Sequence, residues 1–118
     1  MIAGQVTEDG QPTIRLSVAG RSWVAVVDSG FNGDLELPNA LRGHLNARFR
    51  GREPWLLASG QSVEEDIYSM DFPFDGQMVY AEASFVPGDT ILVGTGMLSL
   101  HRLTIDFPAR TVLIERAA

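Results

Sequence analysis

An aspartate stands directly after an apolar stretch in the first third of the chain. The stretch from Trp23 to Val27 is followed at once by Asp28, Ser29 and Gly30. A carboxylate can act as a general acid or base. Burying a lone carboxylate is costly, so one at the exit of a buried strand must be paired or functional. Taken alone, however, the same residues also describe an aspartate that begins an ordinary turn.

A second apolar stretch, later in the chain, also ends in a residue without a side chain. Residues Ile91 to Val93 are wholly apolar, Gly94 follows them, and the pattern of Met97 to His101 predicts a short helix. Between the two segments, Ala58-Ser59-Gly60-Gln61 has the composition of a hairpin tip, and Asp75-Gly76 that of a tight turn. The order of these features is more informative than any of them alone.

Together these segments resemble the retropepsin-like aspartic proteases, from about Ile14 to Ile114. In that family an Asp-Thr/Ser-Gly loop carries the catalytic carboxylate. A strand of three apolar residues and a glycine passes behind that loop as part of a psi loop, ahead of a short helix. The resemblance implies an all-β half-barrel with a psi loop and two short helices, homodimeric, with residues 1–118 forming a single domain of this type.

The resemblance also implies roles for individual residues of this chain. It makes Asp28 the catalytic residue of an aspartic endopeptidase that hydrolyses peptide bonds in a peptide or protein substrate. The other implied site residues either support the catalytic loop or lie over the substrate as a flap. They are Ser29, Gly30 and Gly94 for loop support, and Ser59 and Gly60 for the flap.

The chemistry requires a second carboxylate. Two carboxylates about 3 Å apart repel by roughly 5 kcal/mol at an effective dielectric near 20, so one of them keeps its proton and the pair supplies acid and base together. Within the chain, Asp34 is too close to Asp28 in the same loop, and Asp106 has the setting of a hairpin turn. We therefore expect the pair to form from Asp28 of each subunit of a homodimer, where a twofold axis brings identical residues together.

Three features depart from the usual family pattern. Ser29 replaces the commoner threonine, which the family tolerates, and Phe31 stands where a small residue is usual. The chain also continues past its second predicted helix, from Leu103 to Ile114. This last feature resembles bacterial and cellular members more than viral ones, and it puts a viral-style terminal dimer interface in doubt.

Short apolar stretches between turn residues predict the β elements that must position this loop. The continuous run from Trp23 to Val27 predicts a strand buried on both faces. The alternating Met70, Phe72 and Phe74 are expected to lie in the core. Pro38 to Leu45 predicts a short helix with Asn39 as its N-cap, and the arginine-rich Arg48 to Arg52 is interpreted as a polar connection.

The composition narrows the classes of function. The 118 residues carry a net charge of −6, which disfavours nucleic-acid binding, and the absence of cysteine excludes disulfides and thiol catalysis. His44 and His101 lie far apart in the sequence, so we expect no metal site and no cofactor. No apolar run is long enough to span a membrane and the first residues lack signal-peptide features, which favours a cytoplasmic protein.

One alternative of a different class stays open at this point. A fold does not fix a function, so the same chain could be a non-catalytic dimeric peptide-binding or assembly module. The two hypotheses differ in what they require of Asp28, because only the enzyme needs its carboxylate for chemistry.

Overall fold

Alternating apolar and polar residues make most of this chain into β-strands. The computed structural model describes residues 1–117. The strands are β1 (Ile2–Val6), β2 (Pro12–Val18), β3 (Arg21–Val27), β4 (Leu35–Pro38), β5 (Arg48–Leu56), β6 (Ser62–Phe74), β7 (Gln77–Val86), β8 (Ile91–Val93), β9 (His101–Asp106) and β10 (Thr111–Arg116). Two 3₁₀ helices, Asn39–His44 and Thr95–Leu98, follow β4 and β8. The expected all-β class with two short helices is confirmed.

All ten strands form one sheet, in the order β5-β6-β7-β4-β8-β3-β2-β1-β10-β9. The short strand β8 lies between β3 and β4, parallel to β3 and antiparallel to β4. Because β3 and β4 are consecutive in the chain, the loop that joins them must pass around the end of β8. This arrangement is the expected psi loop.

The hydrophobic core is one cluster of buried side chains that come from most of the strands. Met70, Phe72 and Phe74 of β6 are buried, which confirms them as core residues. The prediction for β3 was wrong in part, since Val24 is 36% exposed. Val24 pairs across the strands with Arg15 of β2, so this part of the strand has one buried face and one face toward solvent.

Strand β5 is longer than its sequence indicated. Residues Arg48 to Arg52 were interpreted as a connection, but they form the first half of β5. This strand is an edge of the sheet, and Arg52 contacts Asp66 of β6, with 3.1 Å between Nε and Oδ1. Charged side chains are common on edge strands because they discourage pairing with other chains, which accounts for the polar composition.

Both helices differ in detail from their predictions. Pro38 precedes the first helix, no side chain caps it, and the predicted cap Asn39 is its first residue. The second helix is Thr95–Leu98 instead of Met97 to His101, and His101 begins β9. It starts early because the amide of Thr95 already bonds to the loop between β3 and β4. Neither helix in residues 1–117 is long and apolar enough to cross a membrane.

Two hairpins shape the side of the sheet that holds β5, β6 and β7. Strands β5 and β6 pair along their length and leave a tip at residues 57–61. Strands β6 and β7 are joined at Asp75 and Gly76, whose φ angles are +52° and +76°. Two consecutive positive φ angles are typical of the tight turns that close hairpins. Both turns predicted from composition are confirmed.

Carboxylates face one another across this side of the sheet. Glu53 of β5 and Glu65 of β6 are direct cross-strand partners. Glu36 of β4 is part-buried, and burial is the main cause that raises its pKa, with the charge of Glu65 as the second. Ionising Glu36 in neutral solution therefore costs the folded protein free energy.

Replacing Glu36 by glutamine should stabilise the protein at neutral pH. A carboxyl with a raised pKa stabilises the fold below its unfolded pKa and loses that contribution as the pH rises through the folded pKa. The expected gain in the free energy of unfolding at about pH 7 is below about 1 kcal/mol, because the Glu36 carboxyl is only partly buried and solvent screens it. It should vanish near pH 3.5, below the ordinary glutamate pKa of about 4.3. Urea unfolding at both pH values measures it.

The matched control is Glu8→Gln, which removes the same charge from an exposed turn. It should give no comparable gain at neutral pH. An equal gain in both variants would mean that net charge, and not the setting of Glu36, limits the stability.

Candidate active site

The loop that carries Asp28 joins β3 to β4 and consists of residues 28–34; we call it the Asp28 loop. It is built around the end of β8. Asp28 is the first residue after β3, and its amide donates to the carbonyl oxygen of Val93 at 2.9 Å. On the other side of β8, Leu35 begins β4 and pairs with the same Val93. Both ends of the loop are therefore fixed to one residue of a buried strand.

The carboxylate of Asp28 is oriented by its own loop. The amide of Gly30 donates to Asp28 Oδ1 at 2.9 Å, and the amide of Phe31 donates to the Asp28 carbonyl at 3.2 Å. Asp28 is part-buried, whereas Ser29 and Gly30 are exposed. An N–H group directed at a carboxylate oxygen fixes the orientation of the carboxylate, which suits a group that must hold a reacting water.

Three consecutive amides hold the loop from the β8 side. Gly94 donates to the carbonyl of Asp34 at 2.9 Å, Thr95 to that of Phe31 at 2.8 Å, and Gly96 to that of Gly33 at 3.1 Å. Backbone donors of this kind have little freedom to move, since they begin a helix packed behind the loop. The chain thus positions Asp28 through main-chain contacts between two segments that are far apart in the sequence.

Gly94 lies where a side chain has no room. A Cβ atom at this position would be 2.1 Å from the carbonyl oxygen of Gly33 and 2.7 Å from Cδ2 of Phe31. The first of these neighbours is backbone, which cannot move aside cheaply. The implied role of Gly94 behind the loop thus has a physical basis, namely the close approach of two backbone segments.

The two other aspartates considered as partners for Asp28 accept hydrogen bonds from backbone amides. Asp34 Oδ2 accepts from the amide of Glu82 on β7 at 2.9 Å, which ties the loop to that strand. Asp106 Oδ1 accepts from the amide of Ala109 at 2.9 Å, within the turn between β9 and β10. Asp34 therefore links the loop to β7, whereas Asp106 acts within its own turn.

The tip of the β5–β6 hairpin corresponds to the implied flap. The amide of Leu57 donates to the carbonyl of Gln61 at 2.8 Å, and Gly60 has a φ of +87°, which favours glycine. The Ser59 hydroxyl accepts from the amide of Gln61 at 3.4 Å. The tip is exposed, and Leu56 beside it is 78% exposed. Residues with so few contacts open easily.

Sequence reasoning missed one residue of this region, Trp55. Its ring lies 5.5 Å from that of Phe31, centroid to centroid, and so connects β5 to the Asp28 loop. A small cavity of about 170 Å³ lies beside the two rings, bordered also by Asp34 and Glu82. The sequence around Trp55 gives no sign of a partner elsewhere in the chain. Only the three-dimensional structure shows its contact with Phe31.

The largest cavity that we found in residues 1–117 lies elsewhere. It has a volume of about 570 Å³ and lies between the first two strands and the Asp75 turn, away from the Asp28 loop. The pKa of Asp75 there is lowered, first by a hydrogen bond from the amino group of Met1, with His101 and Arg116 contributing by charge. Within the described residues, no three potential ligand side chains cluster closely enough to hold a metal ion.

Any side chain at position 94 should disrupt the Asp28 loop. Gly94→Ala places a Cβ 2.1 Å from the Gly33 oxygen, so the two segments must separate. The expected loss of stability is about 1–3 kcal/mol, the usual range for overpacking, and Gly94→Val should lose more. Thermal or urea unfolding measures the change.

Gly43→Ala provides the matched control in the first 3₁₀ helix. A Cβ at Gly43 meets no atom within 4 Å, so the same substitution should be neutral or stabilising there. If Gly94→Ala were as stable as Gly43→Ala, the close packing of β8 behind the loop would be wrong.

Comparison by sequence identifies no relative of this chain. No protein-family model matches it, and no curated protein matches it. Any relationship must therefore come from the three-dimensional structure.

Solved structures share its architecture. A retropepsin-like aspartic protease from Rickettsia conorii aligns with a TM-score of 0.66 and 15% identity, over 98% of this chain and 89% of that one. Two structures of a foamy viral protease-reverse transcriptase align with TM-scores of 0.61 and 0.58, each at 17% identity over 82% of this chain. This chain spans only 13% and 17% of those longer chains. The protein therefore has the fold of the retropepsin-like aspartic proteases.

Proposed function

We propose that this protein is an aspartic endopeptidase whose catalytic pair consists of Asp28 from each subunit of a homodimer. The observation that carries the proposal is the position of the Asp28 carboxylate and the hydrogen bonds that hold it and its loop. It stands at the end of a buried strand, oriented by the Gly30 amide, in a loop held by three backbone donors. A turn aspartate with a purely structural role needs no such support from a second strand and a helix.

The proposed chemistry uses the two carboxylates unequally. One is ionised and takes a proton from a water molecule held between the pair, while the other is protonated and donates to the carbonyl oxygen of the scissile peptide. The water oxygen attacks the carbonyl carbon and forms a tetrahedral intermediate. The carboxyl that took the water proton then gives it to the nitrogen, the carbon–nitrogen bond breaks, and a hydroxyl proton of the intermediate returns to the other carboxylate. The shared proton belongs to the pair and not to either residue.

The exposed part of the loop suits assembly with a second copy. Ser29 and Gly30 are exposed beside a part-buried Asp28, so this surface is accessible to a partner in the isolated chain. In the proposed dimer the Ser29 hydroxyl bonds to the backbone of the opposite loop and steadies both carboxylates. A Cβ atom at Gly30 would lie 3.3 Å from Asp28 Oδ1, which is a tight contact, so a side chain there would press on the carboxylate.

The β5–β6 hairpin would cover the substrate. Ser59 and Gly60 at its tip offer backbone groups to an extended peptide, and the neighbouring Leu56 and Leu57 are exposed apolar side chains. Such a cover favours apolar residues on either side of the cleaved bond, because it removes their side chains from water. The substrate class proposed is therefore an extended segment of a peptide or protein.

Cleavage of a mixed peptide library should depend on Asp28 and on acidity. The rate should follow a bell between about pH 3 and 8, since the pair must carry one proton, with its maximum in mildly acidic solution. Asp28→Asn should lower the rate by at least about a thousandfold, and a chelator should not change it because the base is a carboxylate. Mass spectrometry of the products measures cleavage.

Asp106→Asn is the control, because asparagine keeps the acceptor that Ala109 uses. It should cleave like the wild type. Activity that persists in Asp28→Asn, or that stops with chelator, would assign the chemistry to other groups. Absence of cleavage at every pH, combined with peptide binding that Asp28→Asn leaves intact, would favour the non-catalytic binding module.

Mixing subunits tests whether the catalytic pair is shared. Sedimentation should show a dimer, with an interface in the usual range of about 1,200–2,000 Å². An equal mixture of wild-type and Asp28→Asn chains, allowed to exchange, should retain about one quarter of the wild-type rate, since only wild-type homodimers have two carboxylates. A retained rate of about one half, or an active monomer, would show that each chain works alone.

A further inference from the structure

Phe31 stands in the Asp28 loop at a position where retropepsin-like proteases usually have a small residue. Its ring is packed against the backbone of its own loop and of the segment behind it. Cβ atoms built at Gly33 and Gly94 would lie 2.6 Å and 2.7 Å from that ring, so both positions must be glycine for the ring to fit. The two close contacts fix the ring on the surface of the loop.

The other side of the ring meets the hairpin that carries the flap. The ring centroids of Trp55 in β5 and of Phe31 are 5.5 Å apart, and the ring planes make an angle of 47°. Trp55 Cη2 would also lie 3.3 Å from a Cβ atom built at Gly33. Aromatic pairs at this separation attract one another beyond the burial of their area. The contact therefore joins the Asp28 loop to the base of the flap.

This contact is opposed by a polar cost. The indole N–H of Trp55 is buried and has no acceptor among residues 1–117. A buried donor without an acceptor destabilises the arrangement that buries it. Strand β5 is also an edge strand that pairs only with β6, and the hairpin tip beyond Trp55 is exposed. The flap can thus leave the loop at modest cost.

We propose that Phe31 is a positioning residue and that its contact with Trp55 couples the flap to the Asp28 loop. The backbone donors of residues 94–96 hold the loop from behind, and the two rings hold it from the flap side. When the flap lifts, Phe31 loses its outer wall and the loop loosens. When the flap closes, the rings meet and the loop regains the geometry that orients Asp28. The coupling itself follows from the fold, while its consequence for catalysis rests on the proposed function.

Hydrogen exchange of single amides tests the coupling without any need for activity. The amides of Thr95 and Gly96 report on the loop, since their acceptors are loop carbonyls. Trp55→Leu should speed their exchange by about three- to tenfold, the factor expected from loss of one aromatic contact. Trp55→Phe also lacks the unpaired N–H but keeps a ring, so its exchange should be no faster than that of the wild type and clearly slower than that of Trp55→Leu.

The effect should also run in the opposite direction, because coupling between two sites is reciprocal. Phe31→Leu should speed exchange at Leu57 and Gly60 in the flap tip, although the substituted residue lies in the loop. The amide of Val6, which donates to Arg110 at 3.1 Å in the distant part of the sheet, should keep its wild-type exchange in every variant. A rise at Val6 equal to that at Thr95 would indicate general destabilisation and would overturn the proposal.

Phe49→Leu is the matched control within the same hairpin. Phe49 pairs with Tyr68, with 5.6 Å between the ring centroids, and Tyr68 pairs in turn with Phe85, so this aromatic cluster does not include Phe31. This variant should leave Thr95 and Gly96 unchanged. Unchanged exchange at those amides in Trp55→Leu as well would show that the flap and the loop are independent.

Kinetics then separates this proposal from the proposed function. Where Asp28-dependent cleavage is found, Trp55→Leu should lower kcat by about three- to tenfold, and Trp55→Phe should restore it, since the chemical step needs a positioned carboxylate. A change confined to KM would mean that Trp55 only binds substrate. A protein that shows the exchange effects but no cleavage keeps the coupling and loses the enzyme, whereas cleavage without exchange effects does the reverse.

Discussion

The insertion of one short strand between two consecutive ones is the constraint on which this structure depends. Strand β8 separates β3 from β4, so the connection between them must wrap around its end and present Asp28 there. The wrap brings backbone against backbone behind the loop. A carbonyl oxygen 2.1 Å from the Cβ position leaves only glycine at residue 94. The geometry of the Asp28 loop is thus a consequence of sheet topology before any side-chain chemistry is considered.

Much of this arrangement could be predicted because its key residues lie at the ends of apolar runs. Asp28 and Gly94 each follow an uncharged apolar run, Trp23 to Val27 and Ile91 to Val93, and the end of such a run is easy to recognise. The buried stripe Met70, Phe72 and Phe74 was equally clear, since period-2 alternation has one physical meaning in a sheet. Local patterns succeed where the cause is local.

The errors had non-local causes. Arg48 to Arg52 has the composition of a connection, yet it is a strand because β6 pairs with it along its length. The second helix begins at Thr95, and not at Met97, because distant loop carbonyls bind its first amides. Trp55 gave no signal at all, since its partner Phe31 lies in another segment of the chain. Sequence periodicity describes a face of an element but not the partner that covers it.

The loop is held by two kinds of contact that differ in strength and in freedom. Behind it, three backbone hydrogen bonds contribute roughly 0.5–1.5 kcal/mol each and leave little room for movement. In front, an aromatic pair worth about 0.5–1.5 kcal/mol is set against a buried indole donor whose lack of an acceptor costs about 1–3 kcal/mol. The front contact is therefore opposed by a cost of its own size or larger, while the rear contacts are not. Such a division lets the hairpin tip separate from the loop more easily than β8 can, and the loop then keeps its rear contacts but loses the aromatic one that, in our proposal, helps to orient Asp28.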